Sequence, residues 1–448
     1  MGSIAPLDIV IVGAGIGGLG AACALALKNH NVIVLEAKDG LNEFGASIGI
    51  LANGSKVLKS YGLADAFEPV ITRDNGVELR DALTNELIGL LAQNIGNNSE
   101  IEYGSETWVI NRADYQKTLA DGAEARGAKM VFSADVTRVD VDLERPVVHC
   151  RDGRTFEADL VVGADGMKSP VRHSIPRCAG IEPRALKEQC WRATVPKDRI
   201  RGNPKLEWLV DNSGVEMAFV DHDRYILGWR LPDHRPYDLV LCKVRDSDVP
   251  PGVWGVKEDP SVVQEVFKDC SAELVELLSN IDQCVKWTLA ELPPLPTCRS
   301  DNGRVVLAGD AFHAMIPHSA SGGNSAIEDG GVLAECIDWA HKNGRPISDA
   351  TLAYEKMRKP RVERMQQASH EAYGFLNAGG EDAKARNEMI RATTAALYKN
   401  LERPEAERRK DPKPKADMHA RFPLPPYRQW LNAYDAIPET QAWLAANM

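Results

Sequence analysis

The sequence predicts an α/β fold in three parts. A domain built on a buried parallel sheet is interrupted by a mostly antiparallel β domain and followed by a helical C-terminal region. Three observations carry this. Residues 8–36 read as strand, glycine turn, helix, strand and a closing acid. Two later apolar strands, ending at Gly163 and Leu307, also run into glycine and aspartate. Between them, residues 180–287 alternate polar and apolar side chains as half-buried strands do.

The first unit has a mechanical reading. Ile9-Val10-Ile11-Val12 is a β-branched run suited to a strand covered on both faces. Gly13 permits the tight strand-to-helix turn, Gly15 lets backbone approach a pyrophosphate, and Gly18 lets the helix pack close to the strand. The start of that small-residue helix offers unpaired N–H groups and a positive dipole end to phosphates. Glu36, after the second strand 32–35, is placed to accept from ribose hydroxyls and to repel a 2′-phosphate, which disfavours NADP at this site. The unit is Rossmann-like and predicts a bound dinucleotide. On its own it leaves NAD and FAD open.

Composition sets the outer limits. At 448 residues the chain has room for two or three domains, and 44% apolar with 26% charged residues is ordinary for a globular protein. A formal charge of −11 argues against a nucleic-acid surface. No apolar run approaches the roughly 20 residues of a membrane span. Residues 1–6 lack a basic and apolar leader, and Pro6 stands where myristoylation of Gly2 wants Ser or Thr. Nine cysteines, odd in number and without a C-x-x-C pair, predict reduced thiols in a cytoplasmic protein and no metal site.

The remaining elements follow in order. Residues 43–50 form a loop with two glycines, read either as an ordinary turn or as backbone laid against a flat ring; an amphipathic run follows over 55–61. Residues 77–101 suggest hairpins away from the nucleotide sheet. Residues 108–115 read as a strand end entering a helix, with Arg112 at the junction either meeting a phosphate or simply solvated. Residues 129–141 and 147–159 read as short strands with an Asp152-Gly153 hairpin turn. One amphipathic helix is expected over 262–278. A polar, glycine-rich stretch over 311–323 precedes a helix over 324–340, whose free N-terminus favours negative charge on a ring above it. Helix is expected from 352 to about 401, a proline- and charge-rich linker over 403–414, and a docked helix over 427–444.

Taken jointly, Gly13-Ala14-Gly15-Ile16-Gly17-Gly18 with Glu36, Gly163-Ala164-Asp165-Gly166, and Gly309-Asp310 with His313 and Pro317 resemble the single-component FAD-dependent aromatic monooxygenases. The likeness is to the salicylate-hydroxylase-like branch, including fungal secondary-metabolism members. It covers about residues 8–375, and residues 377–386 look like that branch's acidic-glycine tail. The resemblance implies a discontinuous FAD-binding domain over 1–75, 105–180 and 288–360. It also implies a substrate domain over 76–104 and 181–287, and C-terminal helices and tail over 361–448. Glu36 would hold the adenosine ribose, Gly49 would lie against the cofactor, and Arg112 would contact the ribityl–pyrophosphate region. Asp165 and Gly166 belong to a motif serving FAD and NAD(P)H passage; Asp310 would hold a ribityl hydroxyl. Gly322 and Gly323 would bring N–H groups to the flavin ring.

The chemistry so implied consumes NADH or NADPH and O2, and passes one oxygen atom through a flavin hydroperoxide to an electron-rich phenol or indole. Arg192 and Tyr225 are the catalytic candidates, since relatives hold an ionised substrate with such a pair; alternation points Arg192 away from Trp191 and Ala193. Two departures fall where substrate meets flavin: His318 stands where the family often has Tyr, and Ser321-Gly322-Gly323-Asn324 where it often has Gln-Gly. His313 reads as structural, His222 as a turn residue, and His318 as a possible substrate contact. A non-oxygenating FAD-dependent reductase or dehydrogenase of the same fold is the alternative, and a monomer or homodimer is expected.

Overall fold

The strand Asp8–Val12 buries Ile9, Val10, Ile11 and Val12 in a core shared with helix residues such as Leu19 and Leu25 and with Val139 and Val148 of a small antiparallel sheet. The computed structural model describes residues 5–41, 47–73, 76–92, 98–211, 215–231, 235–251, 253 and 255–448. The N-terminal residues 1–4 and the start of the glycine loop, Glu43 to Ala46, lie outside them. In the five-stranded parallel sheet the order is Val305–Leu307, Leu160–Gly163, Asp8–Val12, Asn31–Leu35 and Lys129–Val131. The three glycine motifs therefore leave the carboxyl ends of three adjacent strands, the edge at which open α/β sheets bind ligands.

Small residues in the first helix, Ile16–Leu27, have a packing reason. It lies between the helices Arg112–Glu124 and Gly322–Lys342. A Cβ on Gly20 would sit 2.7 Å from Ile327 Cδ1, and one on Gly330 would sit 2.8 Å from the Ala21 nitrogen. Only glycine lets the two helices approach this closely.

A second, eight-stranded sheet runs Val256–Lys257, Gln283–Glu291, Arg184–Val195, Tyr237–Lys243, Arg224–Trp229, Val215–Asp221, Gly76–Asp81 and Leu87–Ala92. All its pairings are antiparallel except Val215–Asp221 with Gly76–Asp81. Residues 76–92 thus join this layer, away from the nucleotide sheet as expected. Among the described residues there are two further sheets, each three-stranded and antiparallel: Ser47–Ile50, Trp108–Asn111 and Ile71–Arg73, and then Val136–Asp140, Val147–Cys150 and Thr155–Glu157.

Register divides the large sheet into two faces. Trp191 pairs with Leu241, Leu241 with Ile226, and Ile226 with Phe219; this face carries an apolar core beneath the helices Pro260–Val266 and Ala272–Ser279. Cys190, Arg192, Asp238, Cys242 and Tyr225 belong to the opposite face, by the two-residue alternation of strands.

Three helix expectations are corrected. Residues 262–278 form two helices, because the Ser271 hydroxyl accepts from the Leu274 amide and starts a second one. The long C-terminal helix breaks after Leu376 and restarts at Gly380, whose φ of +58° interrupts the helical path. Residues 427–444 are likewise two helices, Pro425–Asn432 and Ala436–Asn447. The 403–414 linker contains one turn of helix, Glu405–Arg408.

Among the described residues, no helix is long and apolar enough to cross a membrane. All nine cysteines are free and buried.

Candidate active site

At the carboxyl edge of the parallel sheet, two helices begin without side-chain caps. Gly15 and Ser321 precede Ile16–Leu27 and Gly322–Lys342 respectively, neither makes a capping side-chain bond, and neither first turn carries an acid. Their leading N–H groups are thus left for an anionic or electron-rich group. A Cβ on Gly15 would meet nothing within 4 Å, so this backbone faces open space. Gly13, at φ +102°, is pressed against the second motif: a Cβ there would lie 2.4 Å from the Ala164 carbonyl oxygen.

The other predicted positions surround this edge. Glu36 accepts from the Ala14 amide at 2.9 Å and the Lys38 amide at 3.0 Å, which locks its carboxylate beside the glycine turn. Arg112 is exposed at the start of its helix, with no hydrogen bond or ion pair to a described residue. Asp310 is exposed between buried Gly309 and Ala311. Asp165 is turned inward, accepting from the Ser169 hydroxyl and, at 3.1 Å, from the Val171 amide. Burial pushes its carboxyl up to about 6 against those bonds. Asp165 shapes its turn, and Gly166, at φ +80° with open space around it, presents backbone.

Gly49, Gly322 and Gly323 are brought together by a residue the sequence reading passed over. Asn324 donates to the Gly49 carbonyl at 3.0 Å and the Ala320 carbonyl at 2.7 Å, and accepts from the Leu51 amide at 2.9 Å. It clamps the glycine strand to the helix start. The signal was present in the Asn that replaces the family's usual pattern, but its partner 275 residues away was not.

A second missed group holds the third motif. Asp329 accepts from the Gly309 amide at 2.8 Å and His313 Nε2 at 2.6 Å, and pairs with Arg358 Nε at 2.7 Å. His313 is therefore a structural residue, as expected. Burial works to raise the Asp329 carboxyl, but His313 and Arg358 outweigh it and hold it below the usual range.

The eight-stranded sheet roofs this region. Arg192 donates from Nε to Asp238 Oδ1 at 2.9 Å, and Asp238 Oδ2 accepts from both the amide and the hydroxyl of Ser47, at 2.6 and 2.8 Å. Burial pushes the Asp238 carboxyl up; Arg192 and Ser47 pull it back only in part. Tyr225 Oη lies 2.8 Å from His318 Nε2. The face carrying Arg192 and Tyr225 thus touches both the Gly49 strand and the Pro317–Ser319 turn. His222 lies in a sheet turn packed so tightly on Gly379 that a Cβ there would sit 2.1 Å from its ring.

Residues 6–369 match the family described as FAD binding domain. The chain belongs to this family. Its FAD-binding fold is the frame onto which the uncapped helix starts, the open space at Gly15 and the exposed Asp310 fit a long dinucleotide. The chain is 27% identical to FAD-dependent monooxygenase OpS4 of Beauveria bassiana, over 98% of this chain and 97% of that protein. It is 30% identical to 3-hydroxybenzoate 6-hydroxylase 1 of Aquipseudomonas alcaligenes, over 86% of this chain and 94% of that protein. A solved salicylate hydroxylase substrate complex shares the fold, with a TM-score of 0.72 at 22% identity, covering 91% of this chain and 98% of that one. The resemblance drawn from three motifs is borne out, and the FAD-binding family member is an FAD-dependent monooxygenase rather than a non-oxygenating reductase.

Asp310→Ala is expected to leave the fold intact, since the side chain is exposed, and to weaken FAD binding at least about tenfold, the scale of one hydrogen bond to a charged group. Flavin-to-protein absorbance ratios after dialysis check this. Full occupancy would remove Asp310 from the cofactor site.

Proposed function

We propose that this monooxygenase inserts one oxygen atom of O2 into a small phenolic or indolic ring, using NADH or NADPH as reductant. The cofactor would be held by Glu36, Arg112, Asp310 and the backbone at Gly13, Gly15, Gly18, Gly49, Gly166, Gly322 and Gly323, with Asp165 shaping the second turn. When bound, FAD supplies electron transfer and oxygen activation. The chain supplies position, charge and exclusion of water.

The observation that carries this reading is the posture of Arg192. Asp238 anchors it through Nε, while its Nη groups bond no described residue, and its side chain is 17% exposed. A guanidinium fixed at one edge and open at the other suits a phenolate oxygen. A cation about 4 Å from that oxygen, at an effective dielectric near 20, is worth on the order of 4 kcal/mol, enough to decide whether the ring is ionised. Tyr225, on the same face of the sheet, would bound the ring on its other side. A small aromatic substrate also agrees with what 3-hydroxybenzoate 6-hydroxylase 1 is named for.

Arg192→Ala is expected to keep its flavin and lose at least about tenfold in product formation with phenolic substrates. Arg192→Lys, which keeps a cation beside Asp238, separates charge from fork geometry. Screening phenols and indoles for stimulated NAD(P)H oxidation, O2 uptake and oxygenated product tests the function. Normal turnover by Arg192→Ala would remove it from the site. Coenzyme oxidation without oxygenated product from any ring tested would overturn the proposal.

A further inference from the structure

Strand register lays the face that carries Arg192 out in rows. One row runs Cys190, Cys242, Tyr225 and Val220, and each of the four is at most 2% exposed. Leu376 and Ile390 of the C-terminal helices pack with it. Two residues further along each strand, the next row runs Val285, Arg192, Val240 and Leu227, and all four are only half-buried. The opposite face of the sheet is closed, since Trp191, Leu241 and Ile226 are fully buried there. The open side of this row is therefore the cofactor side.

Three features bound the open strip. The buried row lies along one edge. Along the other, Asp238 accepts from Ser47 and so joins the sheet to the strand of Gly49. At the far end Ala218, the cross-strand neighbour of Leu227, is fully buried again. Neighbouring strands lie about 4.8 Å apart, so Arg192 to Leu227 spans roughly 10 Å. A phenol whose oxygen meets the Arg192 guanidinium lays its opposite edge over Val240 and Leu227, with room beyond it for about two or three carbons.

The strip is apolar apart from Arg192. Within residues 190–194, 225–229, 238–242 and 283–287, Arg192 is the one cation that alternation points to this face. Its Nε is already taken by Asp238 at 2.9 Å. A substrate carrying both a phenolate and a carboxylate would bring two charges to one guanidinium that already has an anionic partner. The second charge would be buried against valine and leucine. An uncharged alkyl group in the same place gains by leaving water.

We infer that the substrate ring carries a short, uncharged apolar substituent opposite its hydroxyl and no carboxylate. Val240 and Leu227 set this preference: Val240 lies under the ring, and Leu227 fixes how long the substituent is. The inference rests on the phenolic reading above and narrows it to one class of phenol.

The test uses flavin-loaded protein and reads substrate-stimulated NAD(P)H oxidation together with oxygenated product. 4-Isopropylphenol and 4-hydroxybenzoate have nearly the same shape and differ in charge. The first is expected to be favoured at least about tenfold in kcat/KM, the scale of leaving a carboxylate without a partner. From phenol through 4-ethylphenol to 4-propylphenol, kcat/KM is expected to rise about fourfold for each carbon covered, and to rise no further at 4-pentylphenol. Leu227→Ala, retaining flavin, is expected to move that optimum to the longer chain. Leu227→Lys, which puts a cation at the far end, is expected to raise kcat/KM for 4-hydroxybenzoate relative to 4-isopropylphenol at least about tenfold, a gain that misfolding does not produce. Wild type using 4-hydroxybenzoate as well as 4-isopropylphenol, or a chain-length profile unchanged in Leu227→Ala, would overturn this inference alone. Oxygenated product from none of these phenols would overturn the phenolic reading and this inference with it.

Discussion

Replacing Arg358 by Met is expected to cost about 3–5 kcal/mol at neutral pH, the scale of stripping one partner from a buried ion pair, and to release bound flavin. Arg358 is fully buried and pairs with Glu328 at 2.5 Å and Asp329 at 2.7 Å, both also fully buried. Arg361 bonds Glu328 at 2.7 Å from a second side, and Asn53 donates to it at 2.6 Å. Burial works to raise both carboxyls, but the two arginines at Glu328, and His313 with Arg358 at Asp329, hold them below the usual range. Removing Arg358 leaves two carboxylates facing one arginine and one histidine.

The pH dependence gives this its sign. Carboxyls depressed in the folded state contribute stability that is present above their unfolded values, near 4, and is lost as pH falls through the folded ones. Without Arg358 that contribution shrinks or reverses, so the deficit against wild type is largest at neutral pH and narrows in acid. Urea denaturation at several pH values, followed by tryptophan and flavin signals, reads both quantities. A deficit below about 1 kcal/mol that does not vary with pH would contradict the assignment. Flavin release follows because Asp329 also holds the Gly309 amide, the backbone from which Asp310 projects.

How much of this was legible in the sequence depends on the distance over which each residue acts. Gly13, Gly15 and Glu36 were legible because a strand, a tight turn and a helix start dictate them within 30 residues. Gly309 and Asp310 were legible for the same reason. The groups holding those motifs together were not. Ser47 meets Asp238 across 191 residues, Asn53 meets Glu328 across 275, and Gly309 needs Asp329 and so, at one remove, Arg358. No periodicity reports a partner that far away. The helix breaks were missed because Ser271 and Gly380 start new helices where apolar spacing alone would continue the old ones.

Gly13→Ala is expected to be a severe single-methyl change at the cofactor edge, lowering stability by about 3 kcal/mol or more and FAD affinity at least about tenfold. Two effects add. At φ +102° any side chain is strained, at a cost of about 1–3 kcal/mol. The new Cβ would also lie 2.4 Å from the Ala164 oxygen and 2.8 Å from its carbonyl carbon, and backbone atoms cannot rotate away. Relief requires the first and second motifs to part. The Gly13 amide donates to the Leu35 carbonyl at 2.7 Å and the Ala14 amide to Glu36, so the movement carries the Glu36 carboxylate with it. Gly153→Ala separates the two effects: its φ is +88°, yet nothing lies within 4 Å of its Cβ, and it sits in the turn between Val147–Cys150 and Thr155–Glu157, outside the three motifs. It should lose only the strain, about 1–2 kcal/mol, and bind FAD as wild type does. If the two variants lost equal stability and both kept their flavin, the close approach at Gly13 would be irrelevant to cofactor binding. A loss of flavin by Gly13→Ala alone ties the conformation of one glycine to the joining of two strands' ends, and through that joint to the carboxylate of Glu36.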